Sequence, residues 1–177
     1  MQFTTTILPG VVVVKPRRFE DERGYFSTCF CAGEFEKHDI RLTVLQSNVA
    51  MNRRRGTLRG MHYQDPPFAQ AKLVQCLAGA IYDVVIDLRS ESATFRKWVS
   101  VELTAANGKL LYVPEGLAHG YQTLEDNTHV AYHVNNRYAP ELARGVRWDD
   151  PAFGVEWPAM EERTIIARDR TYPDFVW

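Results

Sequence analysis

Short runs rich in valine, isoleucine, leucine and tyrosine recur along this chain, each closed within a few residues by glycine, proline, asparagine or aspartate. Val11–Val14, Gly24–Phe30, Val44–Asn48, Lys72–Leu77, Ala80–Asp87, Trp98–Leu103, Lys109–Val113, Tyr121–Leu124 and His129–Val134 are of this kind. Turn signals at Ala78-Gly79, Asn107-Gly108, Pro114–Gly116 and Glu125–Asn127 lie between them. β-Branched and aromatic side chains suit a pleated, half-buried surface, so this spacing predicts an all-β antiparallel sandwich or barrel. Helical signals are confined to Gly33–His38, which could make about two turns, and to short turns in the proline-flanked tail.

The 177 residues suit one domain over 1–177, with the C-terminal segment wrapped on the barrel. A composition 45% hydrophobic and 12% aromatic excludes a disordered chain. The apolar runs are far too short to cross a bilayer, and no basic region followed by a long apolar stretch opens the chain. The expectation is a soluble, cytoplasmic protein without a membrane partner. Cys29, Cys31 and Cys76 form neither an even disulfide framework nor a CxxC pair, which fits a reducing compartment. Cys29 and Cys31 are expected on one face of a strand as small packing residues.

The formal charge of −1 conceals an uneven distribution. Arg53 to Lys72 holds five basic residues against Asp65 alone, whereas Glu141 to Asp174 holds five basic and eight acidic residues. A local basic surface on a neutral protein suits a small anion such as phosphate. A nucleic acid would favour a broad basic face and a high pI. Arg53–Arg55 fit a solvated loop equally well.

Two segments concentrate the chemistry. Gly56–Gln64 reads GTLRGMHYQ and Pro114–Leu124 reads PEGLAHGYQTL, placing Arg59, His62 and His119 on expected turns of the barrel. Gly60 between Arg59 and His62 would let a bent strand aim a cation and an imidazole into one cavity. Pro114-x-Gly116-x-x-His119 resembles the second motif of the cupin superfamily, which implies an antiparallel jelly-roll barrel with a few short helices. A metal-binding cupin would carry HxH and a carboxylate in the earlier motif. Here Tyr63 and Gln64 follow His62, and two histidines beside a lysine make a poor cation cage. No metal and no cofactor are expected.

FEDERGYF (19–26), GTLRGMHYQ, AKLVQCLAGAIYDVVIDLR (71–89) and YVPEGLAHGYQTL (112–124) stand in the order and spacing of the dTDP-4-dehydrorhamnose 3,5-epimerase family, which the chain resembles from Val11 to Asp174. The resemblance implies cofactor-free removal and return of protons at the carbons flanking the ketone of a nucleotide-linked 4-keto-6-deoxyhexose. It implies that His62 is the base, oriented by Asp169, and that Tyr132 is the acid on the opposite face. Asp83 would anchor Lys72 or the His62 network. It further implies that Arg23, Arg59 and Arg168 bind the diphosphate, with Gln46 and Asn48 as amide partners. His119 would sit near the ketone with Lys72, and Phe26 and Tyr138 would contact the nucleotide. Some of these residues would come from a partner subunit, hence a homodimer with exchanged N-terminal strands.

Acid–base chemistry explains why such residues would be needed. A proton beside a ketone is on the order of twelve pK units less acidic than imidazolium, a gap of about 16 kcal/mol. One base cannot bridge that; an oxyanion donor worth about 3 to 4 kcal/mol must act in a dry cavity, and Lys72 is the natural cation. A phenol, with an ordinary pKa of about 10, can protonate an enolate because the carbon base is far stronger. Val130, Tyr132 and Val134 share a strand face, so Tyr132 also reads as a packing residue.

Ser27-Thr28 stand where the family often carries a glutamate, and Gln46-Ser47-Asn48-Val49 lacks its common acid, which leaves the nucleotide base open. Epimerisation at carbon 3 only or carbon 5 only is an alternative within the family. A metal-dependent cupin enzyme and a non-catalytic sugar-nucleotide binding module are the alternatives outside it.

Overall fold

The alternating runs pair into two facing sheets. The computed structural model describes residues 1–176. Its strands are β1 (Gln2–Thr5), β2 (Val12–Lys15), β3 (Arg18–Asp21), β4 (Gly24–Ser27), β5 (Gln46–Asn52), β6 (Leu58–Gln64) and β7 (Lys72–Ala78). There follow β8 (Ala80–Asp87), β9 (Trp98–Thr104), β10 (Leu110–Val113), β11 (Leu117–Thr123), β12 (Thr128–Val134) and β13 (Ala143–Gly145). Short helices α1 (Ala32–Glu36) and α2 (Ala167–Arg170) and a 3-10 turn (Pro140–Leu142) complete the elements.

One sheet has the order β1-β2-β10-β7-β12-β5, the other β13-β6-β11-β8-β9, and β3 and β4 form a separate hairpin. The ladders between these strands are antiparallel, as in a jelly roll. Between the sheets lies a core of Val74, Ile81, Val85, Leu103, Leu111 and Val130, which holds one end of the sandwich closed. Burying each such side chain contributes about 1.5–3 kcal/mol. The other end opens as a cavity. Among the described residues no helix is long and apolar enough to cross a membrane.

Several boundaries differ from the sequence reading. The strand expected over Gly24–Phe30 ends at Ser27, because the Cys31 carbonyl accepts the amides of Glu34 and Phe35 and starts α1, which buries Phe35. Cys29 and Cys31 therefore share no strand face; Cys29 is half-buried and Cys31 exposed. Strand β5 begins at Gln46 rather than Val44 and continues to Asn52. His62 and His119 stand on strands, not turns: β11 starts at Leu117, and His119 pairs directly with His62 of β6.

That pairing depends on two glycines. Gly60 has φ +137°, and a Cβ there would lie 2.6 Å from the Gly120 Cα. A Cβ on Gly120 would lie 2.7 Å from the Arg59 carbonyl oxygen. The register shifts between His119 and Tyr121 at the same place. Only glycine lets the two strands approach this closely.

Candidate active site

The cavity measures about 600 Å³ and is lined from both sheets and from the tail. Strand register sets its first wall. On β12, Tyr132 pairs with Asn48 and Val134 with Gln46; on the other side Val134 pairs with Lys72. With a side-chain period of two, Gln46, Asn48, Tyr132 and Lys72 come to one face of one sheet. The facing sheet supplies Arg59 and His62 from β6 and His119 from β11.

Each histidine holds its own carboxylate. His62 Nε2 lies 2.7 Å from Asp169 Oδ1, and the other carboxylate oxygen accepts the Gly60 amide at 3.1 Å. Asp169 is 1% exposed. With that carboxylate accepting, Nε2 carries the proton and Nδ1 keeps the free lone pair. Burial lowers the His62 pKa below 6.5, the Asp169 bond opposing it and Lys72 and Arg168 adding to it. Burial works to raise Asp169, but the His62 and Gly60 bonds and Arg168 outweigh it and hold the carboxyl below 3.8.

The second dyad lies deeper. His119 Nε2 is 2.6 Å from Asp83 Oδ1, with Asp83 fully buried. Asp83 thus anchors His119 and not the His62 network. Its Oδ2 has no hydrogen-bond partner among the described residues, leaving negative charge that favours a nearby cation. That cation is Lys72, whose Nζ donates to the His62 carbonyl at 3.1 Å. Burial brings Lys72 down from 10.5 to about 8, with Asp83 acting to raise it. It is still an ammonium at neutral pH.

Cations ring the mouth. Arg168 Nη2 lies 3.4 Å from His62 Nε2, and Arg168 also bonds Tyr138, which is half exposed at the rim. Arg59 Nε donates to Asn52 Oδ1 at 2.8 Å, and Gln46 donates to Asn48 at 2.7 Å. Hence His62, Lys72, Tyr132, His119, Asp169, Gln46, Asn48, Arg59, Arg168 and Tyr138 all line one cavity, with Asp83 directly behind. Arg23 and Phe26 do not reach it in this chain. They sit on the β3–β4 hairpin, Arg23 paired with Asp21 and Phe26 70% exposed.

Sequence reasoning missed Asn52, which accepts from both Arg59 and the Tyr121 hydroxyl (3.4 Å). Burial pushes that phenol up to about 12, against Arg59 and Asn52. The signal was present, since Gln46, Asn48, Ala50 and Asn52 follow one another at every second position. Tyr63, Gln70 and Arg144 also line the cavity and carried no such signal.

Among the described residues no three His, Cys, Asp or Glu side chains gather to hold a metal. A jelly roll whose cavity sets two carboxylate-bound imidazoles near a buried ammonium and a phenol is a cupin-type barrel equipped for proton transfer.

The comparisons narrow that class. The family profile described as dTDP-4-dehydrorhamnose 3,5-epimerase matches residues 5–176. The Sinorhizobium fredii dTDP-4-dehydrorhamnose 3,5-epimerase is 43% identical over 173 residues, covering 98% of this chain and 89% of the relative. The crystal structure of the Bacillus anthracis dTDP-4-dehydrorhamnose 3,5-epimerase, with TDP and PPi bound, is 36% identical. It superposes with a TM-score of 0.95 over 98% of this chain and 99% of that one. A Legionella pneumophila dTDP-6-deoxy-D-glucose-3,5-epimerase in complex with dTDP-4-keto-L-rhamnose is 33% identical, with a TM-score of 0.91 over 95% and 89% of the two chains. The chain belongs to the dTDP-4-dehydrorhamnose 3,5-epimerase family.

Proposed function

We propose that this protein inverts the carbons flanking the ketone of a nucleotide-linked 4-keto-6-deoxyhexose, converting dTDP-4-dehydro-6-deoxyglucose to dTDP-4-dehydrorhamnose. The observation that carries the reading is the distribution of groups over the two walls. The imidazole with a free Nδ1 stands on β6, whereas the phenol and the ammonium stand on the facing sheet. A sugar ring lying between them meets a base on one side and an acid on the other, which inversion requires.

His62 Nδ1 removes the proton, and Asp169 stabilises the imidazolium that forms. The side chain is 31% exposed, so that proton can leave to solvent. Charge moves onto the ketone oxygen, where Lys72 stabilises the enolate, with His119 braced by Asp83 beside it. Tyr132 then returns a proton from the opposite face. Arg59 and Arg168 grip the diphosphate, Gln46 and Asn48 add amide contacts, and Tyr138 stacks on the base. The 4-keto nucleotide bound to the Legionella relative supports this substrate class.

Arg23 and Phe26 act across a homodimer. The free-standing β3–β4 hairpin and the edge strand β5, beside which Leu45, Val49 and Met51 are exposed, are complementary halves of such an interface. The protein works in the cytoplasm as one domain with its tail as a wall of the site. Proton NMR in heavy water, with dTDP-4-dehydro-6-deoxyglucose and no added cofactor, tests the reading. Deuterium should appear next to the ketone together with inverted product; no incorporation with any 4-keto-6-deoxy nucleotide sugar refutes it.

A further inference from the structure

Asp169 reaches His62 on a segment with few anchors. Residues 166–171 are exposed apart from Asp169 itself. Upstream, the chain is tied to the barrel where the Thr164 amide donates to Gly56 and its carbonyl accepts from Leu58. Downstream, the nearest anchor is Tyr172, three residues past the carboxylate. Its ring occupies a slot on β13 where Gly145 stands directly opposite His62. A Cβ on Gly145 would lie 2.3 Å from the Tyr172 Cζ and 2.4 Å from Cε2, so any side chain there would fill the slot. Gly145 is not in the left-handed region, so its lack of a side chain serves the ring and not the backbone turn. The ring also meets the His62 imidazole edge-on, with centroids 6.4 Å apart at 71°.

We propose that Tyr172, seated on Gly145, is a positioning residue that holds the Asp169 carboxylate on His62. Tyr172 is not among the residues that line the cavity; it packs against the base from behind and fixes the distance between that base and its partner. The backbone bonds of α2 stay within the segment, so beyond Thr164 the carboxylate's own bonds to His62 and the Gly60 amide are seconded by a half-buried ring wedged against a glycine. The inference rests on the epimerase reading only for its kinetic consequence, since the seating of Asp169 can be observed directly.

Two imidazole N–H protons bonded to carboxylates, on His62 and on His119, should give downfield proton resonances, and Asp169→Asn assigns the first. Tyr172→Ala should lose or broaden that resonance while keeping the one from His119, which lies within the barrel and reports that the fold is intact. Deuterium exchange into substrate should fall at least tenfold in kcat. Gly145→Ala should reproduce both effects, and Tyr172→Phe, which keeps the ring, should restore both. In the Asp169→Asn background, Tyr172→Ala should cost less than twofold more, because two members of one unit do not add. Tyr172→Ala with both resonances and full kcat overturns the proposal, as does Tyr172→Phe behaving like Tyr172→Ala. Failure of the wild-type protein to exchange any 4-keto sugar would instead remove the epimerase reading and leave the resonance test standing.

Discussion

Lys72→Met should make the protein more stable and nearly inactive at once. At neutral pH the buried ammonium is charged in both the folded and the unfolded chain, but burial holds its pKa at about 8 instead of 10.5. At ~1.4 kcal/mol per pH unit, the charge costs the folded state about 3 kcal/mol relative to a neutral side chain of similar shape. Methionine removes that cost. It also removes the bond from Nζ to the His62 carbonyl, worth about 1 kcal/mol net. The balance is a gain of about 2 kcal/mol, or about 4–8 °C in Tm for a domain of this size. Because the folded pKa is depressed, the penalty is fully present below about pH 8 and vanishes as pH rises through 10.5, so the gain must fade over the same range. Exchange of the proton next to the ketone, without its oxyanion partner, should drop by about 10²–10³. Calorimetry at pH 7 and near pH 10, beside deuterium incorporation followed by NMR, measures both arms. A variant less stable than wild type at pH 7, or one that exchanges at the wild-type rate, refutes the reasoning.

The kcat/KM profile should be a bell. Its acid limb lies below 6.5, because His62 must be neutral to accept a proton and burial lowers its pKa. Its alkaline limb lies near about 8, where Lys72 loses its charge; a profile still rising at pH 9 would contradict it. Tyr132→Phe should keep exchange of the abstracted proton while forming at least 100-fold less inverted product, as read by NMR of the sugar ring. Arg23→Ala should raise KM about tenfold with kcat little changed, although Arg23 lies outside the cavity of its own chain; unaltered KM would count against a shared site. Gly60→Ala should cost more than about 3 kcal/mol by denaturant unfolding, since a Cβ there meets the Gly120 backbone at 2.6 Å and φ is +137°.

Ala80–Asp87 was legible as a continuous β-branched run, buried on both faces, and His129–Val134 as an alternation of Val130, Tyr132 and Val134; both lie within the strands observed. Strand β5 was cut short at Asn48 because Ala50 lines the cavity and Asn52 is a buried polar residue bonded to Arg59 and the Thr128 carbonyl, so the inward positions have no apolar period to detect. His119 was put on a turn because Pro114–Gly116 and Gly120 both read as punctuation. Gly120 in fact sits mid-strand, where it makes room for Gly60. The family resemblance named ten of the residues that line the cavity. What local pattern could not supply was which carboxylate serves which base: Asp169 is separated from His62 by 107 residues, and Asp83 turned to His119 rather than to His62. Nothing near Tyr172 in the chain hints at Gly145, since their contact exists only once the tail has folded back.

Sheets that stack face to face stand roughly 10 Å apart, a spacing fixed by the side chains between them. If His62 on one wall is the base and Tyr132 on the other the acid, a sugar ring between them would meet both, and stereochemistry would become a matter of which carbon lies between the two groups. A ring pivoting about its diphosphate tether would present first one neighbour of the ketone and then the other to the same pair of groups. Narrowing the gap so that the ring cannot swing would turn a double inversion into a single one, with every reacting side chain unchanged.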